Sequence, residues 1–255
     1  MNNSEFVEKL LNIKKYNTLY ALGGCGQPLN EANKKQLKNQ YAYNRSTSRA
    51  KKIDAATVDV FAFDCIGLVK SVLWGFNADK RKHLGGAVYT SNGVPDIGAN
   101  AMIKKCSNVS SDFKNIIKGE FVWMSGHCGV YIGDGLVIES SPKWADGVQI
   151  TACNQTIRGY NRRDWTKHGQ LPYIDYKTPT PISQKPQNHY KGELLTLNKT
   201  PVYVSAYSQK ASGTLTGTYF IYDGIRINGR YRVTVKASYV GRKPIGRFVT
   251  GFINE

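Results

Sequence analysis

The chain has 255 residues, of which 41% are hydrophobic, and carries a formal net charge of +17. A chain of this length and hydrophobic content can bury one medium-sized and one small core. Basic residues outnumber acidic ones both in residues 1–175 and in residues 190–255, which favours a polyanionic partner. The sequence has no zinc-finger spacing and no aromatic RNP motif, so nucleic acid is not predicted as that partner.

Cysteine and histidine spacing exclude two further classes of protein. The five cysteines show no paired spacing, which does not predict a disulfide framework. Neither Cys-x-x-Cys nor His-Glu-x-x-His occurs, so no metal ion and no cofactor is predicted. His83, His168 and His189 lie in loop-like or linker sequence and are predicted to be exposed at the surface.

Residues 4–16 alternate apolar and charged positions and predict an amphipathic helix, with Phe6, Val7, Leu10 and Leu11 on its apolar side. This segment lacks the basic start and continuous apolar stretch of a secretory signal peptide. No other stretch is long and apolar enough to span a membrane. The sequence therefore predicts a protein made in the cytoplasm, without stable membrane insertion.

Tyr20 precedes a Gly-Gly pair at residues 23–24. The plainest interpretation is a terminal aromatic residue followed by a glycine turn. Cys25 comes directly afterwards, before the turn signal Gly-Gln-Pro. It lacks the context of a helix start and is predicted to be a buried thiol or part of a cleft wall.

Residues 30–52 form a long polar segment. Asn30 caps a predicted helix with few apolar positions, and the stretch that follows the helix is basic. This composition predicts a surface insertion. Two interpretations stay open: the insertion is a solvated decoration, or it shapes a groove in which Tyr41, Tyr43, Arg45 and Arg49 contact a ligand.

Residues 64–67, Asp-Cys-Ile-Gly, open an apolar helical run. Asp64 is a preferred N-cap residue, and apolar residues recur at helical spacing as far as Phe76. Cys65 is therefore predicted in the first turn of a helix, where free backbone N–H groups and the helix dipole stabilise a thiolate. The structural alternative is a buried cysteine at a capped helix start.

Residues 126–133, Gly-His-Cys-Gly-Val-Tyr-Ile-Gly, predict a strand that begins near His127, between strands at 120–124 and 136–139. Gly-Asp-Gly at 133–135 predicts the second hairpin. A two-residue loop would place Glu139 on the face opposite to His127, whereas a three-residue loop would place it on the same face, one step diagonal. We predict the three-residue loop, because a catalytic imidazole needs a third polar group to orient it. Cys128 then faces away from the cleft and is predicted to be a core residue.

A cysteine at a helix N-terminus and a histidine on a nearby strand form the pair that a cysteine peptidase or amidase needs. In this interpretation Cys65 is the nucleophile, His127 the base and Glu139 the orienting group. An adjacent protonated imidazole would lower the pKa of the Cys65 thiol and make it nucleophilic.

Residues 176–190 are rich in Pro, Thr, Gln and Lys and predict a linker between a domain of residues 1–175 and a domain of residues 191–255. The second domain contains short apolar runs separated by turn signals, which predicts a small all-β barrel. The runs lie at 194–197, 201–204, 217–222, 231–235 and 248–253, and the turn signals include Asp-Gly at 223–224 and Asn-Gly at 228–229.

The order Asp-Cys-x-Gly, then Gly-His-x-Gly-x-Tyr-x-Gly, then a polar residue twelve positions after the histidine resembles the NlpC family of papain-like cell-wall cysteine peptidases. The resemblance covers most of residues 10–175 and implies an α+β, papain-like fold. It implies Cys65 as nucleophile, His127 as base and Glu139 at the third position, where histidine is commonest in the family. It also matches Tyr20 to a tyrosine whose hydroxyl lies near the oxyanion site. Ile66 departs from the family, which usually has serine there.

Residues 191–255 resemble the bacterial SH3-like modules that follow wall-lytic domains, through Gly-Thr-Tyr-x-Ile-Tyr-Asp-Gly and the closing Val-Thr-Gly-Phe-Ile. This resemblance implies binding to peptidoglycan. The basic charge adds the anionic polymers of a Gram-positive wall as partners. A wall-cutting enzyme without a signal peptide suggests a bacteriophage endolysin, which stays in the host cytoplasm until lysis and then acts at the cell wall.

The prediction is therefore a peptidoglycan hydrolase that cleaves an amide bond in the stem peptide. By resemblance, the first choice is the bond between γ-D-glutamate and a diamino acid. The same Cys–His pair also suits an N-acetylmuramoyl-L-alanine amidase, or an acyl-transfer enzyme if water is excluded. A non-catalytic wall-binding protein would keep the barrel without needing Cys65, His127 and Glu139 together.

Overall fold

The structure is a computed structural model that describes residues 1–176 and 189–254. The chain divides into two compact units, Met1–Thr178 and Pro179–Glu255. Most of the predicted linker, residues 177–188, lies outside the described residues. At its first position, the Tyr176 hydroxyl donates a hydrogen bond of 2.8 Å to the Gly119 carbonyl, so this residue packs into the first unit.

The first unit is a mixed α and β structure with short helices and two sheets. Its helices are α1 (Asn3–Ile13), α2 (Glu31–Gln40), α3 (Ala42–Arg45), α4 (Thr47–Ala55), α5 (Cys65–Leu73) and α6 (Ala99–Met102). Its strands are β1 (Asn17–Tyr20), β2 (Cys25–Pro28), β3 (Val60–Phe63), β4 (Ser107–Ser110), β5 (Phe121–Met124), β6 (His127–Gly133), β7 (Leu136–Ser141), β8 (Gly147–Cys153), β9 (Arg162–Arg163) and β10 (Lys167–Gln170).

Helix α1 is the predicted amphipathic N-terminal helix. Asn2 caps it: the Asn2 side chain accepts from the Glu5 N–H, and the Glu5 side chain accepts from the Asn2 N–H, a reciprocal capping box. Its buried residues are Phe6, Val7, Leu10 and Ile13. The buried stripe follows the i, i+3, i+4 spacing of one helix face, so Ile13 rather than Leu11 completes it.

A three-stranded sheet in the order β1-β3-β2 brings the two N-terminal motifs together. Strand β1 runs parallel to β3, with Tyr20 beside Phe63, and β2 runs antiparallel to β3, with Cys25 opposite Phe63. Because Phe63 is the last residue of β3, Tyr20 and the Gly-Gly turn lie next to the start of α5. This sheet therefore positions the first half of the site.

A seven-stranded sheet in the order β4-β10-β5-β6-β7-β8-β9 carries the second half. Helix α5 contacts β6 and β7, and all nine of its residues are buried. Val69 and Leu68 of the helix share one apolar core with Val130 of β6 and Ile138 of β7. Burying such side chains contributes roughly 1.5–3 kcal/mol each to stability, so this packing fixes the helix start against the sheet.

The predicted surface insertion is a compact three-helix segment, α2 to α4. It has an apolar cluster of its own that includes Leu29, Leu37 and Ile53. Arg49 is buried and forms an ion pair of 2.6 Å with Asp146. The guanidinium of Arg45 donates to backbone carbonyls of α2. Both guanidinium groups therefore hold the insertion in place, and neither arginine lines the cleft described below.

The second unit is a closed four-stranded barrel in the order β11-β12-β13-β14. Asn228 and Gly229 have positive φ values of 48° and 78° and form the predicted hairpin turn between β12 and β13. Asp223 and Gly224 lie inside β12, at a shift in register, so the predicted turn there is wrong. The strands are β11 (Leu194–Tyr203), β12 (Gly213–Ile227), β13 (Arg230–Thr234) and β14 (Gly251–Asn254), and helix α7 (Ile245–Phe248) precedes the last strand.

Two of the three histidines predicted at the surface are buried. His168 lies on β10, and its Nδ1 is 2.6 Å from Glu120 Oε2. His189 packs its edge against the Tyr231 ring, with 5.0 Å between ring centroids. Sequence that looks loop-like can still lie on a short strand or against a barrel core, because tertiary contacts override local propensity.

No helix within residues 1–176 and 189–254 has both the length and the apolar character needed to cross a lipid bilayer.

Candidate active site

Helix α5 begins as the sequence predicts. One carboxylate oxygen of Asp64 accepts from the Gly67 N–H at 2.6 Å, and the other accepts from the Gly23 N–H at 2.7 Å. The N-cap thus joins the Gly-Gly turn to the helix start. Cys65 lies in the first turn, where the positive end of the helix dipole favours a thiolate.

Gly67 is required by the close approach of two backbone segments. A Cβ atom at this position would lie 1.8 Å from the Gly24 carbonyl oxygen. Gly24 also accepts the Asp64 N–H at 2.9 Å. The helix start therefore rests directly on the Gly-Gly turn, which positions Cys65 next to the end of β1.

His127 is the first residue of β6 and forms a hydrogen bond with Cys65. Its Nε2 lies 2.6 Å from Glu139 Oε2. Because Nε2 is taken by Glu139, Nδ1 is the nitrogen left for Cys65. Asn100 fixes the residue before His127, since its side-chain oxygen accepts from the Gly126 N–H at 2.9 Å.

The register that joins His127 and Glu139 comes from a bulge rather than from a long loop. Gly133 pairs with Leu136, so the turn contains two residues, Asp134 and Gly135, both with positive φ. The predicted three-residue loop is therefore wrong. A shift between Tyr131 and Gly133 gives β6 one extra residue. The pairing beyond it, with Val130 opposite Ile138, brings Glu139 to the face of His127, as the longer loop would have done.

Glu139 is fully buried and is held by several donors. Besides its contact with His127, its Oε1 accepts from the Thr151 hydroxyl and from Arg163 Nε, each at 2.7 Å. A buried carboxylate stays ionised only when charges and hydrogen bonds of this kind compensate for lost solvation. Thr151 and Arg163 therefore keep Glu139 charged behind the imidazole.

Aromatic rings enclose the histidine and the arginine. The His127 ring stacks on Trp165, with 5.5 Å between centroids and 10° between planes. The Arg163 guanidinium lies 4.8 Å from the ring centre of Trp144 and 5.8 Å from that of Trp165. These contacts restrict the imidazole to one plane and keep water from its face.

The charges of the site favour a thiolate and an imidazolium. A hydrogen bond from the Cys128 thiol, with the hydrogen bond and charge of His127, lowers the pKa of Cys65 to about 5, against the opposing effect of burial. Burial alone would lower the pKa of His127, but Cys65 and Glu139 raise it to about 9. Between these values both groups are charged at neutral pH.

The neighbouring carboxyls respond in opposite directions. Burial raises the pKa of Asp64 to about 7, and the charge of Cys65 adds to this, while the N–H groups of Gly67 and Gly23 oppose it. Burial also favours the neutral form of Glu139, but His127 and Arg163 lower the pKa of its carboxyl. Glu139 is therefore the permanent negative charge of the site.

Cys128 is fully buried in the core, as predicted, yet its thiol is also a hydrogen-bond partner of Cys65. Cys25 is buried beside the cleft, and burial raises its thiol pKa far above the ordinary range. A neutral thiol is a weak nucleophile, so Cys25 is the cleft-wall cysteine that the sequence indicates. All five cysteines are free.

Tyr20 lines the same cleft as Cys65. Burial, followed by the negative charge of Cys65, raises its phenol pKa, so the hydroxyl keeps its proton. Its ring packs at right angles against Tyr43, with 6.0 Å between centroids. Within the described ranges the Tyr20 hydroxyl has no hydrogen-bond partner, which leaves it free to donate into the cleft.

The cleft in front of Cys65 has a volume of about 760 Å³. The insertion supplies one wall through Gln36, Gln40 and Tyr41. The lining also includes Asp96 and Asn100. A cavity of this size lies within the range of about 300–1,000 Å³ that is usual for ligand sites. Of the four insertion residues named as ligand contacts, Tyr41 lines it, as the groove-wall interpretation of the insertion expects.

Arg163, Thr151 and Trp165 were not singled out from the sequence. Arg163 lies 24 residues after Glu139 in the chain, and the run of charged residues around it is typical of an exposed turn. Thr151 sits on a strand with no distinguishing motif. Only the alternation of side chains along β8, once β8 is paired with β7, would have indicated that Thr151 lies on the same face of the sheet as Glu139.

Among residues 1–176 and 189–254, no group of three or more His, Cys, Asp or Glu side chains is arranged to hold a metal ion.

No protein-family model and no curated protein matches the chain. Among solved structures, the chain is similar to the P60 domain of an antigen from M. avium subspecies paratuberculosis. The similarity covers 68% of this chain and 98% of that one, with 13% sequence identity and a TM-score of 0.36. That neighbour is a member of the NlpC/P60 family, but a likeness this loose carries no argument about activity.

Proposed function

We propose that the chain is a cysteine peptidase that cleaves an amide bond in the stem peptide of peptidoglycan. The observation that carries the proposal is the continuous series Cys65–His127–Glu139 at a helix N-terminus facing a cleft of about 760 Å³. A core cysteine would need neither an imidazolium partner nor a buried carboxylate behind it. Perturbed pKa values in a cleft are typical of catalytic groups.

The reaction begins with the thiolate of Cys65, which attacks the amide carbonyl and forms a tetrahedral oxyanion. The Cys65 backbone N–H and the Tyr20 hydroxyl donate hydrogen bonds to this oxygen, each worth about 3–4 kcal/mol in related acyl-transfer sites. His127 then gives its proton to the leaving amine as the C–N bond breaks. Neutral His127 next takes a proton from water as that water attacks the carbonyl carbon of the thioester. The C–S bond then breaks, which releases the acid product and restores the Cys65 thiolate beside protonated His127.

Glu139 stabilises the imidazolium throughout this cycle and keeps the ring oriented. The first choice of scissile bond is the one between γ-D-glutamate and a diamino acid. This choice rests on the resemblance of the sequence motifs to the NlpC family, and the sequence itself contains no independent determinant for it.

We extend the proposal to a second function, in which the barrel binds the cell wall. The barrel region, residues 190–255, has 10 basic and 3 acidic residues, and a basic surface attracts anionic wall polymers. An SH3-like module attached to a phage endolysin would have this role. Endolysins reside in the reducing host cytoplasm before lysis, where free thiols such as the five found here persist.

The decisive experiment incubates purified Gram-positive peptidoglycan with wild type, Cys65→Ala and the matched control Cys25→Ala. Turbidity and mass spectrometry of released fragments are recorded. The proposal expects stem-peptide cleavage by wild type and Cys25→Ala but not by Cys65→Ala. Release of intact stem peptides would indicate an amidase, and transfer to an added amine would indicate an acyl-transfer enzyme. Absence of fragments with all three proteins, across several wall types, would favour a non-catalytic binding protein.

A further inference from the structure

The buried arginine of the insertion contacts Tyr20, the residue proposed as an oxyanion donor. Arg49 lies on α4 and is buried. Its Nη1 donates to the Tyr20 carbonyl at 2.9 Å and to Asp146 Oδ1 at 2.6 Å. The backbone carbonyl of Asp146 in turn accepts from the Tyr20 N–H at 3.1 Å. Arg49 and Asp146 therefore hold both backbone polar groups of Tyr20.

Tyr20 needs such partners because β1 is an edge strand of the three-stranded sheet. One side of β1 pairs with β3, and its other side faces no strand of that sheet. Backbone groups that are removed from water without a partner cost free energy. The Arg49 guanidinium and the Asp146 carbonyl replace the missing strand at Tyr20, so the position of this residue depends on a side chain of the insertion.

The ring of Tyr20 is held by the same segment. It packs at right angles on Tyr43, with 6.0 Å between centroids. The guanidinium carbon of Arg49 lies 5.9 Å from the centre of the Tyr20 ring and 5.6 Å from that of Tyr43, within the range of a cation–π contact. Arg49 Nη2 also donates to the Tyr43 hydroxyl at 3.4 Å. The insertion thus restrains the ring that carries the hydroxyl as well as the backbone.

The insertion holds the turn after Tyr20 in a similar way. Asn44 is fully buried, and its side chain accepts from the Leu22 N–H at 3.0 Å and donates to the Leu22 carbonyl at 2.8 Å. The Tyr41 ring lies so close to Gly23 that a Cβ added there would be 2.1 Å from it. The turn is therefore fixed between the insertion on one side and the start of α5 on the other.

We propose that Arg49 is a positioning residue that places the Tyr20 hydroxyl against the oxyanion formed at Cys65. The inference rests on the proposed function and gives the insertion a part in the chemistry in addition to its place in the cleft wall. Arg49 does not line the cleft, so it acts through Tyr20 rather than on the substrate. A catalytic group displaced by about 1 Å can lose roughly 100-fold in rate, which is the effect that this positioning prevents.

The test compares two reactions of Cys65 in the full chain. In acylation by p-nitrophenyl acetate the thiolate attacks the ester carbonyl, an oxyanion forms, and the C–O bond then breaks to release p-nitrophenolate. Alkylation by iodoacetamide displaces iodide and forms no oxyanion. Absorbance measures acylation, with Cys65→Ala as the blank, and mass spectrometry measures alkylation of Cys65. We expect Arg49→Gln to slow acylation about 10- to 100-fold and to leave the alkylation rate unchanged.

A double-mutant cycle tests whether Arg49 acts through Tyr20. In a Tyr20→Phe protein the hydroxyl is already absent, so adding Arg49→Gln should slow acylation by less than about 2-fold, because residues that act on one group are not additive. Arg49→Lys keeps a charge for Asp146 but loses the planar fork, so it should retain part of the rate. Equal slowing by Arg49→Gln in both backgrounds, or slower alkylation as well, would make Arg49 a structural residue and overturn the inference.

Arg45→Gln is the matched control, because Arg45 belongs to the same insertion and donates to backbone carbonyls of α2. Arg49→Gln leaves Asp146 paired with Lys52 at 2.5 Å, so the carboxylate keeps a partner. Circular dichroism melting checks folding, and the cycle is run with Arg49→Lys if Arg49→Gln does not fold. Acylation slowed as much by Arg45→Gln as by the Arg49 variant would overturn the inference.

Failure of the proposed function gives a different result. If wild type is acylated no faster than Cys65→Ala, Cys65 is not a nucleophile, and the proposed function and the inference both fail. If Cys65 is acylated but no wall fragments are released, the peptidoglycan substrate is wrong, and the cycle still tests Arg49. A normal acylation rate in Arg49→Gln beside a slow rate in Tyr20→Phe would overturn the inference alone, as would a normal rate in Tyr20→Phe.

Discussion

Glu139 stands behind the His127 imidazole and carries a negative charge without any exposure to solvent. Its charge persists because Arg163 and Thr151 donate to one oxygen while His127 takes the other. A carboxylate raises the pKa of a neighbouring imidazole more than a neutral group would. The pH range over which the ion pair exists is therefore a direct consequence of this residue.

The pH dependence of kcat/KM follows from the two pKa values of the pair. Below pH 5 the Cys65 thiolate becomes protonated, since its pKa is about 5. Above pH 9 His127 loses the proton that it must give to the leaving amine, since its pKa is about 9. We expect a bell-shaped profile with limbs near these values in a peptide-cleavage assay. A kcat/KM profile with a single limb near neutral pH would contradict a Cys65 thiolate paired with a His127 imidazolium.

Glu139→Gln is expected to move the alkaline limb to lower pH. The carboxylate stabilises the imidazolium and raises its pKa, so a neutral amide lowers that pKa, by ~1–3 units for a charge at this distance. The pH profile of kcat/KM measures the shift. Glu120→Gln is the matched control, because Glu120 forms a similar buried pair with His168 outside the site. An alkaline limb at the same pH in Glu139→Gln would show that Glu139 does not stabilise the His127 imidazolium.

Tyr20→Phe is expected to lower kcat by roughly 100-fold with little change in KM, the usual effect of losing one oxyanion donor. In the proposed reaction this hydroxyl donates to the oxyanion that forms in the transition state, so its loss should act on kcat. Steady-state kinetics on a soluble peptide measure both constants. Tyr43→Phe is the control, because Tyr43 packs on the Tyr20 ring and does not line the cleft. Equal effects of the two substitutions would assign Tyr20 to packing alone.

At the scale of elements, the site depends on how closely the start of α5 approaches the Gly-Gly turn. Gly67→Ala would place a Cβ atom 1.8 Å from the Gly24 carbonyl oxygen. Backbone must move to relieve such a clash, so we expect a loss of about 1–3 kcal/mol in the free energy of unfolding and a loss of activity. Urea denaturation followed by circular dichroism measures the first quantity.

Gly98→Ala is the control for this substitution. It lies in the same unit, its φ is −76°, and no atom lies within 4 Å of the added Cβ. Its stability should change by less than about 1 kcal/mol, because the weaker N-cap preference of alanine is offset by the lower conformational freedom of the unfolded chain. A Gly67→Ala protein as stable as Gly98→Ala would show that the two segments are not in contact in solution.

At the scale of the whole molecule, the net charge of +17 predicts that the proposed binding to a polyanionic wall depends on salt. Attraction between exposed charges weakens as salt shortens the Debye length, from about 8 Å at 0.15 M to about 3 Å at 1 M. We expect the inactive Cys65→Ala protein to sediment with purified Gram-positive walls at low salt and to be released at high salt. Walls stripped of anionic polymers should retain less of it.

The contribution of the barrel to this binding is tested by charge removal. A triple variant, Arg242→Gln, Lys243→Gln and Arg247→Gln, removes three exposed positive charges from the second unit. The matched triple Lys9→Gln, Lys14→Gln and Lys15→Gln removes three exposed charges from the first unit. Co-sedimentation should weaken more in the barrel variant. Equal weakening would point to net charge alone rather than a binding module.

The sequence by itself determined the elements whose causes are local. The Asp64 cap, the amphipathic face of α1 and the Asn-Gly hairpin at residues 228–229 were all predicted, because capping, helical periodicity and turn chemistry act over a few residues. The placement of Cys65 in a first helical turn and of His127 on a strand follows from the same local rules.

Only the tertiary structure decided which side chains meet. The bulge between Tyr131 and Gly133 sets the register of Glu139 although the turn itself has two residues. Arg163 reaches Glu139 across 24 positions of the chain, and Asp96 pairs with the buried Lys70 across 26 positions. Contacts of this kind depend on register and on the packing of distant segments, which no local pattern of residues encodes.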